Sequence, residues 1–251
     1  MEDVVYDTIF RIEKDHFWSR SRRVIVGKVL RKFLKKPSGN TILDVGCGVG
    51  ADYELLTQFG AVDFVDMEER ALRYFRSEHP TASVFLGNFP DCVPRDKRYN
   101  VITMLDVLEH IEEDVRALEA CVSLLDPKDG RILLTVPACP SLYGHTDKAN
   151  RHFRRYTRAS LKRVIQTAGY STSFLSYYNT FLFPIEALFR LRENRKTRYS
   201  LEEEYAVPNT VINSLCRLIF SAERHFLPTF SFPFGMSLMA VITPNKKCSR
   251  G

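Results

Sequence analysis

Short apolar runs alternate with amphipathic segments along the first 137 residues of the chain. Buried strands are predicted for TILDV (41–45), AVDFVD (61–66), ASVFLG (82–87), YNVITMLDV (99–107) and RILLTVP (131–137). The segments between them, such as ADYELLTQF, EERALRYFRSEH and residues 112–125, have the apolar spacing of helices. Strands that alternate with helices predict a parallel sheet covered on both faces.

The pattern changes after residue 137. A long polar connection, ACPSLYGHTDKANRHFRRYT, leads to a predicted helix over 159–168 and a strand, STSFLSYY. Residues 179–235 are rich in Phe and interrupted by Pro, with two predicted helices near 183–193 and 208–226. MSLMAVIT (236–243) then predicts a closing strand. The Phe residues either complete a core of added helices or offer an apolar face to a partner.

Composition narrows the class of protein. A hydrophobic content of 45% and a charged content of 26% are ordinary for a globular chain of 251 residues. No uncharged apolar stretch approaches the ~20 residues of a membrane-spanning helix, and the first residues lack the apolar core of a secretory signal. The six cysteines are scattered without a CxxC pair, which argues against a zinc site and a disulfide framework. We therefore expect no metal and a cytoplasmic location.

Basic residues cluster in three places in this chain of net charge +6: 20–36, 151–158 and 190–198. They are either solvated helix faces or a surface that meets anionic lipid or phosphate. Nucleic acid is the less favoured partner, because no recognised binding motif accompanies the charge.

Three glycines follow the first strand in GCGVG, with the spacing GxGxG rather than GxGxxG. Asp44 precedes them at the end of the strand, where a carboxylate repels a pyrophosphate and attracts an ammonium group. Asp66 ends the second strand, where it can accept hydrogen bonds from both hydroxyls of a ribose. The set favours a ligand with an amino-acid head and an adenosine tail over NAD.

At this point several motifs, in order, resemble those of the class I S-adenosylmethionine-dependent methyltransferases. They are LDVGCGVG, VDFVDMEERAL, FLGNFPD, ITMLDVLEHI and RILLTVP, and the resemblance covers roughly residues 40–175. It implies a Rossmann-like sheet of seven mostly parallel strands with an antiparallel last strand, helices on both faces, N-terminal helices and a helical insertion. It also implies S-adenosyl-L-methionine as cofactor and S-adenosyl-L-homocysteine as product. HFW, DVLEHI and YGHTD…RHFRRYT are similar to a subgroup related to ubiquinone-type O-methyltransferases.

The resemblance implies a role for each matching residue. The glycines admit the methionine part, Asp44 holds its amino group, Asp66 takes the ribose and Met67 lies against the adenine. Asn88 replaces the family's acid but still offers an acceptor oxygen. The implied cofactor-binding residues are Asp44, Gly46, Gly48, Gly50, Asp66, Met67, Asn88, Phe89, Leu105 and Asp106.

The long connection after the fifth strand overhangs the acceptor pocket in this architecture. We therefore expect His145 or His152 to be a general base, with a purely local hydrogen bond as the alternative. The expected acceptor-binding residues are Trp18, Tyr143, Arg155 and Tyr156. The alternatives are that Trp18 staples the N-terminal helices to the sheet and that Arg155 fixes the loop through Asp147 or Glu109. If the segment around Trp18 is instead a lid over the cofactor, Arg23 is expected near the cofactor carboxylate.

The leading hypothesis is one domain that methylates an oxygen, less favourably a nitrogen, of a small or amphipathic acceptor. It divides into an N-terminal helical lid (1–38), a cofactor-binding core (39–178), a helical cap (179–235) and the last strand (236–243). If the Phe residues offer an apolar face rather than complete a core, the basic residues beside the cap helices suit a lipid-linked acceptor and peripheral association with an anionic membrane. One alternative is a catalytically silent partner subunit. Another is a protein or nucleic-acid methyltransferase, which LDVLEH disfavours because it stands where an NPPY-like motif would.

Overall fold

The structure, a computed structural model, describes residues 12–194 and 208–245. These residues form a seven-stranded sheet of order β3-β2-β1-β4-β5-β7-β6. The strands are β1 (Asn40–Val45), β2 (Gly60–Asp66), β3 (Ser83–Leu86), β4 (Val101–Leu105), β5 (Arg131–Pro137), β6 (Tyr170–Tyr178) and β7 (Ser237–Pro244). The first five strands pair in parallel, and β7 runs antiparallel to both β5 and β6. The predicted fold class is confirmed.

Helices connect these strands and cover both faces of the sheet. They are α1 (Phe17–Phe33), α2 (Tyr53–Leu56), α3 (Glu69–Glu78), α4 (Asp114–Cys121), α5 (His145–Ala149), α6 (Arg158–Thr167), α7 (Phe183–Glu193) and α8 (Thr210–Ser221). The two helices predicted within residues 179–235 are present as α7 and α8. Short 3₁₀ helices are formed by Leu108–His110, Val122–Leu124, Pro140–Leu142 and Ala222–His225.

Side chains on the central strands alternate between two apolar cores. On β5, Ile132 and Leu134 face the core that contains α4 and α6, while Leu133 faces the core that contains α1, α3 and α8. A strand that is buried on both faces has to be apolar at nearly every position. This explains why the runs that predicted strands are continuous rather than alternating.

The helix after the glycine turn is shorter than the predicted segment ADYELLTQF. Only Tyr53–Leu56 is helical, because the chain bends back at Phe59 and β2 already begins at Gly60. The amide of Phe59 donates to the carbonyl oxygen of Leu56 and closes this turn. The glycine-rich segment is therefore followed by a single turn of helix, rather than by a long helix, at the place where a ligand would bind.

The insertion between β6 and β7 is tied back on itself by Glu223. Its carboxylate accepts hydrogen bonds from the amides of Asn179, Thr180 and Phe181, at 2.6–2.9 Å. Phe220 is fully buried, whereas Phe189 and Phe230 are exposed. The Phe-rich segment thus completes a core and also presents an apolar face, so each of the two predicted alternatives accounts for part of it.

Residues 195–207, with Arg195, Lys196 and Arg198 of the third basic cluster, lie outside the described residues. Among the residues that the structure describes, no helix combines the length and the apolar character that crossing a bilayer requires.

Candidate active site

The turn after β1 holds Gly46, Gly48 and Gly50 at φ values of 73°, 54° and 86°. These values lie in the left-handed region, which glycine adopts without strain. A Cβ on Gly46 or Gly50 would collide with the side chains of Val107 or Phe75, so these two glycines also permit close packing. A Cβ on Gly48 would meet nothing within 4 Å and would point into open space. Gly48 is therefore the glycine that leaves room for a ligand.

A cavity of about 160 Å³ lies between this turn, the carboxyl ends of β1 and β4, and helix α1. Six predicted site residues line it: Trp18, Asp44, Gly46, Gly48, Leu105 and Asp106. Three polar residues that sequence reasoning did not single out also line it: Glu13, Arg22 and Asp52. The wall therefore combines four carboxyl groups with one guanidinium.

Arg22 is the centre of this polar wall and is only 6% exposed. Its Nη2 lies 2.6 Å from Oδ2 of Asp52, and its Nη1 lies 2.8 Å from Oδ2 of Asp106. Burial acts to lower the pKa of Arg22, but Asp52 and Asp106 outweigh it and hold this pKa above its ordinary value. Nε of Arg22 and Oδ1 of Asp52 are buried without a hydrogen-bond partner among the described residues. Unsatisfied atoms beside a cavity are typical of a ligand site.

Arg23, which was expected near the cofactor carboxylate, does not itself line the cavity but bonds to two residues that do. Its guanidinium donates to the carbonyl oxygens of Glu13, at 3.0 Å, and of Ala51, at 3.2 Å. Arg22, one position earlier, is the arginine that lines the cavity. The sequence run RSRRV contains no signal that separates the two, because the choice depends on how α1 is rotated against the sheet.

Asp44 is buried at the end of β1 and accepts a hydrogen bond of 2.6 Å from the hydroxyl of Thr103. Burial, and then the nearby Asp52, raise the pKa of Asp44 to about 8. Burial also raises the pKa of Glu13 to about 7. Both carboxyl groups would ionise more readily beside a positive group, so the chemistry of the wall suits an ammonium or sulfonium ligand.

The predicted adenosine-binding residues lie together at the ends of β2 and β3, outside the cavity wall. Asp66 ends β2, and its two carboxylate oxygens accept from the amides of Gly48 and Glu68, each at 2.8 Å. Met67 is 73% exposed, Asn88 is exposed, and Phe89 is half-buried. They form an open rim beside the cavity, since Asp66 pairs in register with Leu86.

The loop after β5 is organised around Asp147, whose side chain is fully buried. Its Oδ1 lies 2.9 Å from Nδ1 of His152 and 2.8 Å from Nε of Arg155, and its Oδ2 accepts from the amide of Gly144 at 2.9 Å. Burial acts to raise the pKa of Asp147, but the bonds to His152 and Arg155 outweigh it and lower this pKa to about 2. The loop is therefore built on an ionised, fully paired carboxylate.

His152 also meets the end of β4. Its ring contacts His110 edge to face, with centroids 4.6 Å apart. Burial and then His152 lower the pKa of His110 to about 4. Burial and then Asp106 raise the pKa of Glu109, which lies next to His110. Ligand atoms of Glu109, His110 and His152 lie within 4.8 Å of one another, so among the described residues this trio could hold a metal ion.

The remaining predicted residues of the loop are bound within the protein. The hydroxyl of Tyr143 donates to the carbonyl oxygen of His152 at 2.8 Å, and the amide of His145 donates to Asn194 at 3.3 Å. Tyr156 is buried, and its hydroxyl donates to Asp114 at 2.9 Å. Arg155 makes the bond to Asp147 that the loop-fixing alternative required. The geometry therefore disfavours Arg155 and Tyr156 as acceptor ligands.

A family model described as a methyltransferase domain matches residues 17–172. A probable S-adenosylmethionine-dependent methyltransferase from Mycolicibacterium smegmatis is 23% identical over 65% of this chain and 63% of that protein. A ubiquinone biosynthesis O-methyltransferase from Pseudomonas paraeruginosa is 31% identical over 42% of this chain and 48% of that protein. The chain thus spans between about half and just under two thirds of the length of these relatives.

The structure of the plantazolicin methyltransferase BpumL, solved with S-adenosylhomocysteine, superposes with a TM-score of 0.60 at 12% identity. The superposition covers 96% of this chain and 90% of BpumL, and it shows a shared fold. Because the family model covers more than half of the chain, and the ordered motifs lie on the strands of this fold, the protein belongs to the class I S-adenosylmethionine-dependent methyltransferases.

Proposed function

We propose that the protein transfers the methyl group of S-adenosylmethionine to an oxygen atom of a small or amphipathic acceptor. The observation that carries this proposal is the cavity beside Gly48. Open space there adjoins buried charged groups, and polar atoms of Arg22 and Asp52 have no hydrogen-bond partner among the described residues. Methylation of a nitrogen is the second choice. The oxygen acceptor is favoured by the likeness to a ubiquinone biosynthesis O-methyltransferase and by a histidine paired with a buried carboxylate in the loop after β5.

The residues present fit the cofactor. Asp44 and Glu13 would hold its ammonium group, Arg22 its carboxylate and Asp66 its ribose hydroxyls, while Gly48 leaves space for the chain between them. Met67, Asn88 and the amide of Phe89 would contact the adenine, and Leu105 and Asp106 would flank the sulfonium. When bound, the cofactor supplies a methyl group that its positive sulfur has already activated. The protein then has to align the acceptor and remove its proton.

His152 is the residue that we propose as the general base. Its Nδ1 bonds to Asp147, which would fix the tautomer that leaves Nε2 as the proton acceptor. As the acceptor oxygen bonds to the methyl carbon and the carbon–sulfur bond breaks, Nε2 would take the hydroxyl proton. The carboxylate of Asp147 would stabilise the resulting imidazolium. His145 stays the second candidate, and Trp18 and Tyr143 the proposed acceptor contacts.

Calorimetry tests the cofactor assignment. S-adenosylhomocysteine should bind and NAD should not, and Asp66→Ala should weaken binding by roughly 1.5–3 kcal/mol, the range for hydrogen bonds to a charged group. Asp63→Ala is the matched control, because Asp63 lies on the same strand but bonds to Lys97 and Tyr99 away from the cavity. Binding of NAD without binding of S-adenosylhomocysteine would overturn the assignment.

Turnover with a panel of phenols, carboxylic acids and amines tests the reaction. His152→Ala should lower the rate by about 10²–10⁴ and leave cofactor affinity within about threefold, as expected for loss of a general base. His145→Ala tests the second candidate in the same loop, and unchanged turnover in both variants would remove the loop from catalysis. Identifying the methylated atom separates oxygen from nitrogen transfer. Cofactor binding without product from any acceptor would favour the silent partner subunit.

We further propose that the acceptor is lipid-linked or otherwise amphipathic and that the protein works at the surface of an anionic membrane, from the cytoplasm. The support is the pair of insertion helices with exposed apolar side chains, Ile185, Leu188 and Phe189 on α7 and Leu215 and Leu218 on α8. Vesicle binding at low salt, weakened by added salt, is the expected result.

A further inference from the structure

A second concave site, separate from the cofactor cavity, lies between α1 and α8. This groove has a volume of about 350 Å³. Helix α1 contributes Arg20 and Val24, α8 contributes Arg217, Leu218 and Ser221, and Arg224 follows from the next turn. The opposite side of α1 carries Trp18 and Arg22 to the cofactor cavity.

The charge of the groove is strongly one-sided. Three guanidinium groups, those of Arg20, Arg217 and Arg224, line it together with His225 and two serine hydroxyls, and no acidic side chain of the part of the chain that the structure describes does so. Among the described residues, none of these three arginines forms an ion pair; Nε of Arg224 reaches only the ring of His225, at 3.4 Å. The three guanidinium groups are exposed and give the groove a positive potential, so the groove suits a phosphate group.

The outer face of α8, next to the groove, is apolar. Val211, which is 77% exposed, Ile212, Leu215 and Leu218, which is 69% exposed, recur along α8 at helical spacing, and Leu218 also borders the groove. The other side of the same helix packs into the core through Phe220. A helix that is apolar on both sides is normally covered on both sides. Here the outer side is not covered by any residue that the structure describes.

We propose that the groove and the outer face of α8 form one docking surface for an anionic phospholipid bilayer. The phosphate of a headgroup would occupy the groove, while Val211, Leu215 and Leu218 enter the acyl region beside it. A second copy of the chain fits less well, because a symmetric contact would bring the two sets of arginines together. A free phosphate would satisfy the arginines and leave the apolar face in water. This surface deepens the proposed function, since it gives a lipid-linked acceptor a place to arrive.

Co-sedimentation with vesicles tests the docking surface. The protein should bind vesicles of phosphatidylcholine with phosphatidylglycerol, not phosphatidylcholine alone, and salt should weaken this binding. Arg217→Gln with Arg224→Gln should reduce it on the order of 20-fold, given the contribution of each basic residue near an anionic surface. The matched control is Lys162→Gln with Arg163→Gln, which removes two exposed charges from α6 on the other face of the sheet and should change binding less than about threefold.

A second pair, Leu215→Ser with Leu218→Ser, removes apolar contacts that salt does not screen. Membrane binding of this variant then depends on charge, so it should be released at lower salt than wild type. Equal losses in the α6 control, or wild type that stays in the supernatant, would overturn the proposal. Two other results would also overturn it. One is a dimer that the Leu215→Ser, Leu218→Ser variant no longer forms, and the other is a protein that binds inorganic phosphate but does not bind vesicles. None of the six substituted residues lines the cofactor cavity, so affinity for S-adenosylhomocysteine should be unchanged in every variant. Failure at the membrane is thereby distinguishable from failure of the methyltransferase.

Discussion

Two buried acidic clusters lie on either side of the end of β4, and they differ in how their charges are satisfied. Around Arg22, burial raises the pKa of Asp44 and Glu13, and polar atoms of Arg22 and Asp52 have no partner among the described residues. Around Asp147, both carboxylate oxygens are bonded, and the pKa is lowered to about 2.

The difference separates a cluster whose free polar atoms suit a ligand from a cluster whose carboxylate is already paired, so that Asp147 holds the loop and orients His152. Completing the charges of the first cluster requires a molecule from outside, whereas the second is completed by His152, Arg155 and the backbone. Burial alone would not distinguish them, because Asp44 and Asp147 are both buried. If the comparison is correct, substitutions in the two clusters should affect different measurements.

The largest effect is expected from Asp147→Ala. It would leave the guanidinium of Arg155 buried without its carboxylate, which should lower the free energy of unfolding by about 3–5 kcal/mol. Urea unfolding measures this loss, and Asp147→Asn, which keeps an acceptor oxygen but not the charge, should fall between it and wild type. Unchanged stability together with lost cofactor binding would show that Asp147 belongs to the cofactor site rather than to the support of the loop.

Gly48→Ala should affect the first cluster alone. The Cβ would occupy the open space beside the cavity, so affinity for S-adenosylhomocysteine should fall by more than about tenfold, while backbone strain costs about 1–2 kcal/mol of stability. Gly39→Ala isolates the strain, because Gly39 also has a positive φ, of 75°, and nothing near its Cβ, but lies in an exposed loop. Similar affinities for the two variants, measured by calorimetry, would show that the open space is not a ligand site.

Cofactor affinity should also depend on pH. In the free protein the raised pKa values of about 7 and about 8 keep Glu13 and Asp44 partly protonated at neutral pH. An ammonium ligand favours their ionised forms, so binding should release protons and tighten as pH rises from about 6 to about 8. One proton released per ligand corresponds to at most about tenfold per pH unit. Calorimetry in buffers of different ionisation enthalpy measures the protons, and Asp44→Asn should flatten the dependence.

The smallest effect is expected from Arg23→Ala. Loss of its bonds to the carbonyl oxygens of Glu13 and Ala51 should cost about 1 kcal/mol of stability and change cofactor affinity less than about threefold. Arg22→Lys, which keeps the charge but not the fork that reaches Asp52 and Asp106, should weaken affinity more. The reverse ranking would restore Arg23 as the arginine of the cofactor site.

The sheet could be predicted because its signal is local. RILLTVP became β5 over the same residues, since a strand covered on both faces is apolar throughout. The pairing around Arg22 could not be predicted, because Asp52 and Asp106 lie 30 and 84 positions away, and a basic run on a helix usually indicates a solvated face. The short α2 was missed for a similar reason. Where β2 begins depends on its alignment with β1, which the apolar pattern of ADYELLTQF does not contain.

The position of β7 determines the order in which the sheet can be completed during synthesis. β6 pairs with no other strand of the sheet than β7, and β7 also covers the free edge of β5, although about 100 residues separate β5 from β7 along the chain. Until residue 244 has left the ribosome, both strands present unpaired amides and carbonyls to solvent. The nascent chain therefore passes through a stage with two open edges, in which the Phe-rich insertion has been made but its sheet has not closed.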